Sequence, residues 1–160
     1  MNSKRESQAV QSAKSILRGQ SADIKEIKPL VLQLKVETAF GYARKLLQYA
    51  CLRPELGQQP ILRTWCIQQH ALCTYKDPDL SVESKFDRAL TILEQLGDLR
   101  VTTDQETLGL IGSIHQGKWE NYGQKQYLEQ ALAFYRRGYN QGIPRTSDTR
   151  QSTLLSYSTF

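Results

Sequence analysis

The chain has 160 residues, of which 39% are hydrophobic and 23% charged, enough for one domain with a core and too apolar for a wholly disordered chain. The formal net charge is +5. Residues 1–20 hold four basic residues against one acidic residue, and residues 143–160 hold two against one. Residues 21–142 are therefore nearly neutral, which argues against a nucleic-acid-binding surface on the body of the domain.

Membrane, secreted and zinc-binding classes are also disfavoured. No apolar run approaches the ~20 residues that a membrane-spanning helix needs, and the N-terminal stretch MNSKRESQAVQSAKS lacks the apolar centre of a secretory signal. The three cysteines, Cys51, Cys66 and Cys73, include no CxxC pair, which argues against a disulfide framework and a zinc site. We expect a cytoplasmic protein that holds no metal and no cofactor.

Apolar residues spaced three and four apart predict helices along most of the chain. The first helix, over 3–18, belongs to a basic N-terminal arm of residues 1–20. In chain order, further helices are expected over 28–37 and 38–52, from Pro60 to the KDPDLS break, and over 81–96, 104–121 and 125–141. The polar residues 143–160 follow as a tail, so the expected organisation is an arm over 1–20, a helical domain over 21–142 and a tail over 143–160.

Local signals place the helix ends. Pro29 suits the first turn of a helix, because proline lacks the amide hydrogen that this position does not need. Thr103 and Glu106 have the spacing of a capping box, which predicts a helix that begins immediately after Thr103. Asp77 precedes a proline, which disfavours helical backbone and predicts the end of a helix there.

Three segments of the chain resemble one another: FGYARKLLQYA (40–50), FDRALTILEQL (86–96) and LEQALAFYRRG (128–138). Their fourth residues are Ala43, Ala89 and Ala131, and each alanine is followed by a bulky residue four positions later. Self-similarity at a period of roughly 40 residues is typical of stacked helix pairs. We interpret each segment as the second helix of such a pair.

The first helices of these pairs should carry matching small residues where the helices cross. Ala71 and Gly112 occupy these positions in the middle and last pairs, and Val31 does so in the first. Two helices approach to about 8 Å only when the side chain at the crossing is small. The pattern is that of the tetratricopeptide repeat, and it predicts an all-α, right-handed solenoid of about three antiparallel helix pairs plus an N-terminal helix.

The segments TDQETLGLIGSIHQGKWE (103–120) and YLEQALAFYRRGYNQGI (127–143) resemble the TRAFs-binding domain family. That family contains the central region of apoptosis signal-regulating kinases and many bacterial tetratricopeptide proteins. The resemblance implies a regulatory, protein-binding role in signalling or defence. No kinase signature is present, so no kinase activity is implied. The segment TRQSTLLSYSTF (149–160) departs from the family pattern, either because the helical array ends early or because the chain is a shortened member.

The sequence argues against an enzyme. His115 stands where the repeat usually has an aromatic residue, so we interpret it as a packing residue, and His70 lies beside Ala71 on the same expected helix. No Ser-His-Asp arrangement, HExxH motif or phosphate-binding loop occurs. We therefore predict no catalytic residue.

The predicted function is the binding of a protein or peptide partner in a groove lined by the first helices of the pairs. The side chains expected to face away from the second helices are Lys28, Lys35, Gln68, Tyr75, Lys76, Ser113 and Gln116. Lysines and amides suit an acidic or carboxylate-ended peptide. Equally, Lys28, Lys35 and Lys76 could be ordinary solubilising charges.

Two alternative functions follow from other features. The basic N-terminal arm, with Arg136 and Arg137, would serve nucleic-acid binding, which must weaken steeply with salt. An uncapped C-terminal helix pair would serve self-association into a homo-oligomer, because the end of a repeat array exposes apolar area.

Overall fold

The computed structural model describes residues 5–142, which form seven α-helices and two short 3₁₀ helices and contain no strand. The α-helices are α1 (Gln8–Leu17), α2 (Ile24–Val36), α3 (Phe40–Cys51), α4 (Pro60–Lys76), α5 (Val82–Leu93), α6 (Gln105–Tyr122) and α7 (Lys125–Gly142). The 3₁₀ helices span Pro54–Gln58 and Glu94–Leu96. The predicted all-α class is confirmed. None of the helices described is both long enough and apolar enough to cross a membrane.

The described part of the chain divides into two compact units, one that ends at Ser81 and one that begins at Val82. The first contains α1 to α4 and the second contains α5 to α7. The predicted tail, residues 143–160, lies outside the described residues, as do residues 1–4 of the predicted arm. The division into arm, helical domain and tail stays a prediction.

In the first unit α3 is the central helix, since it packs against α1, α2 and α4. Its buried side carries Ala43, Leu46, Leu47 and Ala50, all 0% exposed. Burial of each leucine stabilises the fold by about 1.5–3 kcal/mol. Residues 8–17, which fall in the predicted arm, form α1 and bury Ala9, Ala13 and Ile16 in the same core.

The predicted start of α2 at residue 28 is wrong. The helix begins at Ile24 because Asp23 and Glu26 form a capping box, in which the Asp23 side chain accepts from a backbone amide of the first turn and the Glu26 side chain accepts from the Asp23 amide. Pro29 consequently lies inside the helix and not in its first turn. It has no amide hydrogen to donate to the carbonyl of Lys25 one turn earlier.

The predicted cap of α6 is also wrong, by one residue. Asp104 precedes the helix, and its Oδ2 accepts hydrogen bonds from the Thr107 amide at 2.8 Å and the Thr107 hydroxyl at 2.7 Å. The carboxylate accepts both, and its negative charge is favourable at the positive end of the helix dipole.

The second unit depends on two close helix contacts at glycines of α6. A Cβ atom built on Gly112 would lie 2.7 Å from the Tyr135 ring of α7, and one built on Gly117 would lie 2.5 Å from the Phe86 ring of α5. A side chain at either point would force the facing aromatic ring to move. The repeat pattern in the sequence predicts the crossing at Gly112 but does not predict the contact at Gly117.

The alanines picked out from the sequence are buried. Ala43, Ala71 and Ala89 are 0% exposed and Ala131 is 1% exposed. Ala43 shares a core with Val31 of α2, its expected partner in the first helix pair, and with Leu34 of the same helix. Their equivalence as positions of one repeat stays a prediction.

Candidate functional site

Side chains of α2 and α4 meet on one surface of the first unit, which we call the α2–α4 face and define by Lys28, Leu32 and Lys35 of α2 with Trp65 and Gln69 of α4. The α2 residues follow one another at spacings of four and three, and the α4 residues are four apart, so each set lies on one side of its helix. Lys28 Nζ lies 5.0 Å from the centroid of the Trp65 ring, within the range of a cation–π contact. Lys35 Nζ donates a 2.6 Å hydrogen bond to Gln69 Oε1.

The lysine charges affect the pKa values of two buried thiols of α4, Cys66 and Cys73. Burial raises the pKa of Cys73 to about 12, while the charges of Lys35 and Lys76 act in the opposite direction. The pKa of Cys66 is lowered, first by its hydrogen bond with Cys51 and to a smaller degree by the charge of Lys28. The charges of Lys28 and Lys35 on α2 thus act on buried thiols of α4.

The acidic side chains at the two ends of α2 form hydrogen bonds with groups other than the lysines of the α2–α4 face. Glu26 belongs to the capping box. Glu37 accepts hydrogen bonds from the Ser7 hydroxyl at 2.6 Å and the Gln33 amide at 3.1 Å, and these two bonds lower its pKa. Within residues 5–142 no carboxylate forms an ion pair with Lys28, Lys35 or Lys76. The positive charge of the α2–α4 face is thus not neutralised by the described part of the chain.

The other groove residues expected on α4 differ in exposure. Lys76 is exposed, and its Nζ lies 5.5 Å from the centroid of the Phe40 ring of α3. Tyr75 is half-buried, and Gln68 is only 7% exposed. Gln68 therefore presents almost no surface to a ligand, although a binding role for these residues remains a prediction.

Sequence reasoning missed three residues of the α2–α4 face. Trp65 packs partly against the core, as its apolar character favours, while its ring also contacts Lys28. Leu32 is 44% exposed, in spite of its apolar side chain. The sequence feature that indicates this face is the spacing of four between Trp65 and Gln69, which places both residues on one side of α4.

The residues predicted to line the groove on α6, Ser113 and Gln116, both form hydrogen bonds with a side chain of α7. Ser113 Oγ and Tyr135 Oη are hydrogen-bonded at 3.0 Å, and Tyr135 Oη donates to Gln116 Oε1 at 2.8 Å. Tyr135 belongs to α7, the second helix of that pair. Ser113 and Gln116 therefore contact the second helix of the pair through the tyrosine hydroxyl, whereas their role in partner binding stays a prediction.

Comparison with known proteins identifies the kind of repeat. Residues 7–158 match the sequence model of the Tetratricopeptide Repeats-Sensor (TPR-S) family, which covers nearly the whole chain. The chain belongs to the TPR-S family. The tetratricopeptide-like, helical-repeat part of the predicted fold class is thereby confirmed. No curated protein and no solved structure matches the chain in these comparisons.

The histidine of α6 has a packing environment in this TPR-S protein. The His115 ring stacks on Phe134 of α7, with centroids 5.5 Å apart and planes 12° apart. Burial lowers the pKa of His115 to about 4, with a further contribution from the charge of Lys118. Its Nδ1 is buried and has no hydrogen-bond partner in the described residues. A neutral, stacked imidazole matches the interpretation of this position as an aromatic one.

The described residues also show how the cysteines and the other side chains that could bind a metal ion are arranged. Across residues 5–142 no three His, Cys, Asp or Glu side chains are grouped in a way that would hold a metal ion. Cys51, Cys66 and Cys73 are free thiols. The contact that the sequence did not predict is the one between Cys51 at the end of α3 and Cys66 in α4.

Proposed function

We propose that this TPR-S chain is a non-catalytic module that binds a protein partner through the α2–α4 face, and that the face takes an acidic segment of that partner. The observation that carries the proposal is the convergence of Lys28 and Lys35, both without an ion pair in residues 5–142, with Trp65 and Gln69. Repeat families of the tetratricopeptide type serve as protein-interaction scaffolds, which supports the general role.

The chemistry of the face favours carboxylates. The Lys35 ammonium has three hydrogens and gives one to Gln69, so two remain for a ligand. Charge-assisted hydrogen bonds of this kind are roughly twice as strong as neutral ones. The half-exposed Leu32 lies between the two lysines on α2, and Trp65 lies beside Lys28, so both offer apolar contact to a ligand. An acidic segment with a bulky apolar residue uses both properties.

The biological setting that we propose is regulatory. The resemblance of residues 103–143 to the TRAFs-binding domain family supports a role in signalling or defence, and the word "Sensor" in the description of the matching family agrees with it. The partner would then be an effector or signalling protein in the cytoplasm, whose acidic segment is held by the α2–α4 face.

Selection of random linear peptides on the immobilised chain tests the proposal. We expect the selected peptides to be enriched in Asp and Glu, to lose most of their affinity for the Lys28→Glu/Lys35→Glu variant, and to bind more weakly as salt is raised. The charge-matched control is Lys45→Glu/Lys125→Glu, which reverses two exposed lysines on α3 and α7. Peptides without acidic enrichment, or with equal affinity for both variants, would remove the α2–α4 face from consideration.

A further inference from the structure

We infer that the acidic segment bound by the α2–α4 face is an amphipathic α-helix, with two acidic residues seven positions apart and an apolar residue midway between them. The inference rests on the proposed function and specifies the conformation and register of the partner. It follows from the spacing of the charges, from the apolar residue between them and from the direction of the two helices.

The two lysines set a distance along the face. Lys28 and Lys35 are seven residues apart on one side of α2, which is about 10.5 Å along the helix axis. A second α-helix repeats its own surface at the same interval, so acidic residues seven apart would meet both lysines. Same-side residues of an extended strand are separated by about 6.6 or 13 Å, and neither spacing matches the interval between the two lysines well.

A polyproline helix is the remaining competitor, because its side chains recur every three residues at about 9.3 Å. Leu32 decides between the two conformations. It lies midway between the lysines and is 44% exposed, so a good ligand needs an apolar side chain at the midpoint. A polyproline helix has no same-side residue between its two acids, whereas an α-helix has one three or four positions after the first.

The relative direction of α2 and α4 also suits the binding of a third helix along both of them. From Lys28 to Lys35 along α2, the contact on α4 moves forward from Trp65 to Gln69, so the two helices run in the same direction. Exposed apolar residues extend the α2–α4 face by one turn on each helix. On α2, Val36 follows Leu32 and is 77% exposed; on α4, Ile61 precedes Trp65 and is 88% exposed. A ligand helix of about 15 residues would cover the stretch from Ile61 to the end of α4, at 1.5 Å per residue.

The test compares three synthetic peptides of about 15 residues and identical composition. The first has glutamates seven apart with leucine midway on the same side, the second has the leucine moved to the opposite side, and the third has the sequence of the first with an interior alanine exchanged for a terminal proline. The Trp119→Phe variant leaves Trp65 as the sole tryptophan, so its fluorescence reports binding at the face itself.

We expect the first peptide to bind at least about tenfold more tightly than the other two, and to lose that advantage in the Lys28→Glu/Lys35→Glu variant. Equal binding of the first and second peptides would overturn the helical register, and equal binding of the first and third would overturn the helical conformation; both results leave the proposed function standing. If none of the three binds while selected linear acidic peptides do, the inference fails alone. If no acidic peptide of any kind binds, the proposed function fails with it.

Discussion

Arg44 Nε donates a 2.7 Å hydrogen bond to Asp77 Oδ2, and the two side chains are 11% and 0% exposed. The pair joins α3 to the residue that ends α4. Asp77 Oδ1 accepts a second hydrogen bond, from the Asp79 amide at 2.9 Å. A buried carboxylate is tolerated only when such partners compensate for its lost hydration, so this ion pair holds the α3–α4 corner in one arrangement.

The first prediction concerns that pair. Arg44→Met leaves the buried Asp77 carboxylate without its cation and should lower the free energy of unfolding by about 3–5 kcal/mol. Arg100→Met breaks an exposed pair with Asp98, in which the two side chains are 88% and 44% exposed, and should leave the free energy of unfolding nearly unchanged. Urea unfolding measures both. A cost for Arg44→Met no larger than that of Arg100→Met would mean that Asp77 is solvated in solution.

The second prediction concerns the helix contact at Gly112. Gly112→Ala places a methyl group 2.7 Å from the Tyr135 ring, so we expect a loss of about 1–3 kcal/mol through overpacking. Gly109→Ala is the matched control one turn earlier on α6, because its Cβ would meet nothing within 4 Å. That control should be neutral or stabilising by up to about 1 kcal/mol, since alanine is the better helix former. Equal melting temperatures of the two variants would show that α6 and α7 do not approach closely.

The third prediction separates two candidate caps of α6. Asp104→Ala removes the acceptor of the Thr107 amide and hydroxyl and should lower stability by about 1 kcal/mol. Thr103→Ala, at an exposed neighbouring residue, should change stability by less than about 0.5 kcal/mol. Thermal unfolding of the two single variants is sufficient. The reverse order would restore the capping box that the sequence alone suggested.

The fourth prediction is a pH dependence that arises from His115. Its pKa is lowered to about 4 in the folded chain from an ordinary value of 6.5. Between these values the unfolded chain binds a proton that the folded chain does not, so stability falls as pH falls from 6.5 towards 4. Because the ring is partly exposed, we expect a loss of only about 1–2 kcal/mol across this interval.

His115→Phe should remove this part of the pH dependence, while preserving the stacking on Phe134. The comparison requires urea unfolding of both proteins between pH 4 and 6.5. Glu37, whose pKa is also lowered, contributes only where its carboxyl group protonates, below its ordinary value of 4.5. Parallel pH profiles for the two proteins would show that His115 titrates normally.

The fifth prediction concerns the α2–α4 face without altering its lysines. Gln69→Glu places a carboxylate where Lys35 Nζ now meets an amide oxygen at 2.6 Å. The new ion pair should occupy Lys35 and weaken acidic peptides by about tenfold, leaving thermal stability unchanged or slightly higher. Gln69→Lys adds a cation at the same point and should tighten the same peptides. Identical affinities for both variants would place the binding site elsewhere.

The starts of α2 and α6 were predicted wrongly from the sequence, because two local signals competed at each of them. Pro29 suggested the first turn of α2, yet Asp23 and Glu26, six and three residues earlier, form the cap, and the helix accommodates the proline in its interior. Thr103 and Glu106 had the right spacing for a cap, yet Asp104 is the better acceptor and displaces Thr103. A helix end is a choice between neighbouring residues that differ by about 1 kcal/mol, and spacing alone does not rank them.

By itself the sequence determined that this chain is all-α and that small residues recur on its buried sides. Periodicity and side-chain size are local properties, and they decide which residues leave water whatever lies opposite them. Only the tertiary structure decided which helices meet, and therefore that Lys28 reaches Trp65, that Lys35 reaches Gln69 and that Ser113 turns to Tyr135. Each of these contacts joins residues more than twenty positions apart, and the rotation of one helix against another depends on the packing of the whole core.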